Sequence, residues 1–154
     1  MPLPVFTDQL IFINPKIEEN TPQSAIKFLC NKLQEKGYVN NGYFEEVIKR
    51  EKVHPTGLPT MPYASAVPHA DPIGVVSTGI ALAILKEPVV FHAMDNPRRE
   101  LDVTLIFLMS FNKGDQISML QWISKILGNY ELVANIGNSK RPKQVYKTIQ
   151  PYLN

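Results

Sequence analysis

Val103-Thr104-Leu105-Ile106-Phe107-Leu108-Met109 is the stretch on which the fold turns. It is too short to cross a membrane. It is rich in branched and aromatic side chains, and it lacks the apolar–polar alternation of a strand with one wet face. Such a run reads as a strand buried on both sides, within a segment spanning residues 100–110. A strand of that kind needs apolar cover above and below, and the chain offers it on both flanks. Downstream, Asp115 opens a helix that puts Leu120, Ile123, Ile126 and Leu127 on one stripe and breaks at Gly128. Short helices over residues 131–136 and 142–152 follow. Upstream, residues 64–67 and 77–85 are β-like, with 89–91 a shorter fourth segment, and residues 10–13 form a strand closed by Asn14-Pro15. Between them, Thr21-Pro22 is an N-cap with proline at the first helical position. Ala25, Phe28, Leu29 and Leu33 then share a helical face that stops at Gly37. Asn40 or Asn41 caps a second helix carrying Phe44, Val47 and Ile48 to about Lys52. Helices before and after a block of strands imply an α/β fold, a mixed β-sheet flanked by helices on both faces. No linker or repeat divides it, so one domain over residues 1–154 is expected.

Composition narrows the function. The chain has 154 residues, a net charge of +2 and no long basic run, which argues against nucleic acid as a partner. Cys30 is the single cysteine, so no internal disulfide can form and a reducing compartment fits. Met1-Pro2-Leu3-Pro4 lacks the basic start and apolar core of a secretory signal, and no apolar run reaches transmembrane length. A cytoplasmic protein without membrane insertion is the expectation. There is no Gly-Lys-Ser/Thr phosphate loop, no dinucleotide glycine fingerprint and no Gly-x-Ser-x-Gly elbow. His54, His69 and His92 show no ligand spacing and Cys30 falls within a helix, so no metal is expected. Glu18-Glu19 and Glu45-Glu46 read as solvated surface.

The chemistry concentrates in Ala64-Ser65-Ala66-Val67-Pro68-His69-Ala70-Asp71-Pro72. Two prolines restrict their own φ and the residue before each, so His69 sits between stiff points just after a strand. That placement predicts an imidazole held out to solvent or a partner. Its neutral form is available near neutrality and suits proton transfer, metal binding or nucleophilic catalysis. The plain alternative is a hydrogen-bonded histidine closing a strand. His54, before Pro55, reads as surface or structural. His92 follows a β-like segment, precedes what looks like a hairpin connection, and reads as structural or exposed.

A resemblance across most of the chain separates these readings. Val47-Ile48-Lys49-Arg50-Glu51 matches a helix end carrying an arginine, Pro55-Thr56-Gly57-Leu58 a Pro-Thr-Gly turn, and Ala66-Val67-Pro68-His69 a Pro-His motif. The buried strand at residues 100–109 and the helix around 120–127 follow in order. Together they resemble the mannitol/fructose-type IIA proteins of the bacterial phosphotransferase system, closest to the galactitol-specific branch. The resemblance implies that His69 accepts a phosphoryl group from phospho-HPr through its ε nitrogen and passes it to a cysteine of a IIB component. Through IIB it would serve a membrane IIC permease, with no metal or organic cofactor. Arg50 is the candidate for stabilising phosphate charge, because a guanidinium donates paired hydrogen bonds to phosphoryl oxygens; it reads equally as a solvated cation at a helix C-terminus. Ser65 is a weaker candidate donor, chosen on proximity. Gln116 stands where many relatives carry a second histidine, and it can bond a phosphate but carries no charge. Asp71 either orients the imidazole or forms a turn before Pro72. An apolar docking surface would draw on Met61, Tyr63 and Ile73. Two other classes stay open: a regulatory IIA-like domain phosphorylated as a signal, and a non-enzymatic ligand-binding domain in which His69 is only a contact.

Overall fold

A computed structural model describes residues 3–153. In chain order it contains β1 (Ile11–Ile13), α1 (Pro22–Glu35), α2 (Tyr43–Val53), β2 (Gly57–Leu58), β3 (Ala64–Ala66), β4 (Gly79–His92), β5 (Glu100–Ser110), α3 (Gln116–Leu127), α4 (Tyr130–Asn138) and α5 (Pro142–Ile149), with single 3-10 turns at Asp8–Leu10 and Gln150–Tyr152. The five strands form one mixed sheet in the order β1-β4-β5-β3-β2. β1 runs parallel to β4 and β3 parallel to β5, while β4–β5 and β2–β3 are antiparallel.

The apolar run Val103–Met109 lies in β5, the sheet's central strand. Val103, Ile106 and Leu108 face a cluster built with Ile26, Leu29 and Leu33 of α1 and Tyr43 and Val47 of α2. Leu105, Phe107 and Met109 face a second cluster with Ile123 and Ile126 of α3, Val133 and Ile136 of α4, and Val145 and Ile149 of α5. The phase changes once: Ala64 pairs with Val103 and Ser65 with Leu105, so Thr104 is passed over and the side chains beyond it swap faces. Burying each of these large side chains contributes roughly 1.5–3 kcal/mol, which makes β5 the principal anchor of both layers.

Several boundaries differ from expectation for local reasons. Residues 77–85 and 89–91 are one strand, β4, because Pro88 sits in an exposed irregularity between Ile84 and Val89 where no ladder donor is needed. Gly42, at φ 113°, caps α2 in place of Asn40 or Asn41. The last helix ends at Ile149 and tightens into the 3-10 turn. Leu10 belongs to the 3-10 turn before β1. β2 lies unannounced inside a proline-rich stretch. α1 fits its reading: the Thr21 hydroxyl accepts from the Ser24 N–H at 3.1 Å, and Gly37, at φ 83°, turns the chain just past the helix end.

Because β3 and β5 are parallel, their carboxyl ends emerge together at one margin of the sheet. His69 follows the end of β3, Phe111 follows the end of β5, and the two rings meet there edge to face at 5.3 Å. No helix among the described residues is long and apolar enough to cross a membrane.

Candidate functional site

The loop after β3 is pinned bond by bond. The Pro68 carbonyl accepts from the Met109 N–H at 3.0 Å, tying the loop to β5. The Ala70 N–H donates to the Tyr43 hydroxyl at 3.2 Å, and that hydroxyl donates to the Met109 carbonyl at 2.7 Å. Tyr43 thereby locks α2, β5 and the histidine loop together while only 1% exposed. It shares a helical face with Val47 and Arg50, at spacings of four and three residues, so the same face that packs on the sheet delivers the guanidinium to its margin. Sequence reading missed Tyr43; its signal is that shared face.

His69 is 3% exposed, so the expectation that its two flanking prolines hold the ring out to solvent is corrected. The prolines fix the backbone, but Phe111 packs edge to face on the ring from beyond the end of β5, and the Tyr43 bridge ties down the neighbouring Ala70. Nδ1 lies 2.8 Å from the Val67 carbonyl. A carbonyl oxygen only accepts, so Nδ1 carries the proton and Nε2 the lone pair. Nε2 is buried without a hydrogen-bond partner, the single such side-chain polar atom among the described residues. Burial pushes the His69 pKa below 6.5; the Val67 carbonyl opposes this, the Arg50 charge adds to it, and Asp71 opposes it. The ring is thus kept neutral, with one nitrogen fixed and the other unused.

Beside this loop lies a cavity of about 440 Å³ lined by Lys49, Arg50, His54, Ala70, Asp71 and Ile73. Arg50 is half-buried and makes no ion pair with a carboxylate among the described residues. Asp71 is exposed on the opposite wall. His69, Arg50 and Asp71 are therefore brought to one place. Ser65 is not: it is fully buried, and its hydroxyl is bonded to the Thr60 hydroxyl at 2.8 Å. Gln116 begins α3 and is half-exposed. The start of α3 is tethered by Asp115, which accepts from the Thr78 hydroxyl, while that hydroxyl accepts from the Asn112 N–H at 2.9 Å.

The other candidates scatter. His54 is exposed at the end of α2, and its N–H donates to the Arg50 carbonyl at 2.7 Å. His92 is exposed at the β4–β5 hairpin, where its Nδ1 meets the Pro97 carbonyl at 2.7 Å. A second cavity of about 440 Å³ contains Glu51, Lys52 and His92 but neither His69 nor Arg50. Ile73 and Val53 are 74% and 69% exposed and rim the Arg50 cavity, giving it an apolar border. Met61 opens onto a different groove beside α3 and α4, and Tyr63 packs on Gly137. Cys30 is buried in α1, and burial followed by the charge of Glu45 pushes its thiol up to about 12, which makes it a packing residue. No group of three or more metal-ligating side chains occurs among the described residues.

Comparisons with known proteins bear on the fold and the family. The chain is 30% identical over 120 residues to the transcriptional regulator ManR of Bacillus subtilis, covering 78% of this chain and 17% of ManR. It is 27% identical over 124 residues to the mannitol-specific cryptic phosphotransferase enzyme IIA component of Escherichia coli, covering 80% of this chain and 81% of that protein. The solved complex of enzyme IIA and phosphorylated enzyme IIB for mannitol from Escherichia coli contains a chain of the same fold, with a TM-score of 0.80 at 21% identity over 95% of this chain and 99% of that one. Residues 4–152 match the family model described as the phosphoenolpyruvate-dependent sugar phosphotransferase system, EIIA 2, and the chain belongs to that family.

Proposed function

We propose that this chain is a cytoplasmic phosphocarrier of a sugar or polyol phosphotransferase system, with His69 as the residue that takes up and releases the phosphoryl group. The unpartnered Nε2 of His69 carries this reading. A buried polar atom left without a hydrogen bond costs about 1–3 kcal/mol, and a nucleophile that must stay free is a reason to bear that cost. In the uptake step the Nε2 lone pair attacks the phosphorus of phospho-HPr; the new N–P bond forms as the donor's N–P bond breaks and the donor imidazole keeps the electron pair. Positive charge then builds on the His69 ring. The Val67 carbonyl, already accepting from Nδ1–H, stabilises it through a hydrogen bond that strengthens with that charge. Arg50 supplies donors and charge for the phosphoryl oxygens, and Asp71 on the facing wall favours the cationic ring. In the release step a thiolate of a IIB component attacks phosphorus, and the electron pair returns to Nε2. The protein's work is positioning and charge stabilisation, which is what phosphoryl transfer requires. Docking must also uncover Nε2, and the apolar border of Val53 and Ile73 is a surface on which HPr and IIB can seat in turn.

The solved mannitol IIA–IIB complex supports a IIB partner; a IIC permease served through that IIB belongs to the same proposal. Pro55-Thr56-Gly57-Leu58 favours the galactitol branch, and exchange of the phosphoryl group with galactitol IIB against mannitol IIB tests that choice. The match to ManR favours a second reading, a regulatory domain phosphorylated as a signal; phosphate uptake without transfer to any IIB would select it.

The deciding experiment is intact mass after incubation with phosphoenolpyruvate, enzyme I and HPr. Wild type is expected to gain one acid-labile phosphoryl group and His69→Ala none. Arg50→Ala is expected to accept phosphate about a hundredfold more slowly, the scale on which one charge-stabilising donor acts. Phosphorylation of His69→Ala would overturn the site. No gain by wild type with matched upstream proteins would leave a ligand-binding domain as the better account.

A further inference from the structure

We propose that Glu51 is a positioning residue for His69: acting through Thr56 and Val67, it holds the imidazole as the Nδ1–H tautomer and leaves Nε2 free. Arg50 and Glu51 are neighbours in the last turn of α2 but look in different directions. Arg50 lines the cavity beside the histidine loop, and Glu51 lines the one on the other side of the helix. Glu51 is nevertheless joined to the imidazole by a continuous string of bonds. Its carboxylate accepts twice from one residue, from the Thr56 N–H at 2.9 Å and from the Thr56 hydroxyl at 2.8 Å. The Thr56 carbonyl accepts from the Val67 N–H at 3.3 Å. The Val67 carbonyl accepts from His69 Nδ1 at 2.8 Å.

The string has a local reason to exist. α2 ends at Val53 and the chain reverses within Pro55 and Thr56 to start β2, which leaves the Thr56 N–H and hydroxyl buried beyond the last helical carbonyls. Thr56 is 1% exposed, so neither group has water to turn to. A carboxylate with two acceptor oxygens satisfies both donors at once, where an amide offers a single acceptor oxygen. Fixing Thr56 fixes the start of β2 against the end of β3, where Gly57 pairs with Ala66. The peptide after Ala66 carries the Val67 N–H that the Thr56 carbonyl receives, and the next peptide, into Pro68, carries the Val67 carbonyl, so anchoring Val67 on that side sets where its carbonyl points. Burial acts to raise the Glu51 carboxyl, with the two Thr56 donors acting against it. Which ring nitrogen bears the proton is decided by the hydrogen bond the other end makes, so the orientation of one carbonyl decides the availability of Nε2.

The inference rests on His69 being the phosphoryl acceptor for its purpose but not for its test. Nitrogen-15 shifts of the His69 ring in the unphosphorylated full chain report the tautomer without any donor protein. Wild type is expected to show a protonated Nδ1 and an unprotonated Nε2. Glu51→Ala is expected to populate the Nε2–H tautomer, and Glu51→Gln, which keeps reach but loses one acceptor, to do so less. Thr56→Val, which removes only the hydroxyl, is measured alongside in case the alanine variant does not fold. Phosphoryl uptake by Glu51→Ala is expected to fall about tenfold, the lower scale for loss of a partner that orients an imidazole, with Glu51→Gln recovering part of it. Folded Glu51 variants whose ring keeps the wild-type tautomer would overturn the proposal, whatever their stability. Failure of wild type to take up phosphate would instead overturn the acceptor reading and leave the tautomer result standing.

Discussion

Burial of His69 beneath Phe111 ties the protonation of one ring to the stability of the whole chain. In the unfolded chain the imidazole titrates near 6.5, and in the folded protein burial holds it lower. Between those two values the unfolded state binds more protons, so stability falls as pH drops through about 6.5 and levels off below the folded value. The slope is at most about 1.4 kcal/mol per pH unit. Glu51 has the opposite sign, because its folded pKa is raised from 4.5 and acid favours its folded form; it is common to wild type and His69→Ala and cancels in their difference. Urea unfolding from pH 8 to pH 5 should therefore show wild type losing stability relative to His69→Ala as the solution is acidified. A difference that stays constant with pH would contradict a neutral buried ring. The position of His69 was legible from the Pro68-His69 pair and the preceding strand. Its burial was not, since the covering ring comes from the far end of β5 and the bridging hydroxyl from the start of α2.

Among the elements, those with a strong period announced themselves. α1 and α3 carried apolar stripes with recognisable caps, and residues 100–110 were expected as a strand and form one. β2 did not, because two residues between prolines hold no period, and its reason is a close approach. A Cβ on Gly57 would lie 2.6 Å from the His92 carbonyl oxygen and 3.3 Å from the Leu101 side chain. The Gly57 carbonyl meanwhile accepts from the Met94 N–H at 2.8 Å, so the hairpin connection of β4 and β5 is laced to β2 across the glycine. Gly57→Ala must push backbone against backbone, and a loss of about 1–3 kcal/mol is expected, read from the urea midpoint. An unchanged midpoint would mean that β2 does not sit against His92. The same contact explains why β4 continues to His92: its distal half is held by β5 on one side and by β2 beyond its end, so Pro88 bends the strand without ending it.

For the molecule as a whole, the sheet has a helical layer on each face, and the two layers share β5 as their floor. Neither can dissolve without baring one face of the shared strand: Ile106 and Leu108 belong to one cluster, and Leu105 and Phe107, interleaved with them on the same strand, belong to the second. This arrangement was readable in outline, because an unalternating apolar strand demands two covers and the chain supplies helices on both sides. Which helices cover which face was not, since that depends on the strand order and on the change of phase at Thr104. The chain carries a natural probe on each side. Trp122, its single tryptophan, packs in α3 against one cluster and donates to the Tyr152 carbonyl. Cys30, its single cysteine, is buried in α1 within the other. If the shared strand makes one cooperative unit, tryptophan fluorescence and thiol labelling under brief exposure should give the same urea midpoint. Truncating Phe107, whose side chain touches only the tryptophan side, should then lower both midpoints together, by about 3–5 kcal/mol of stability. A thiol that stays protected while Trp122 is released would show instead that α1, α2 and the sheet persist without α3, α4 and α5. In that case Phe111 would lose its backing before Tyr43 does, and the cover over His69 would open from the β5 side first.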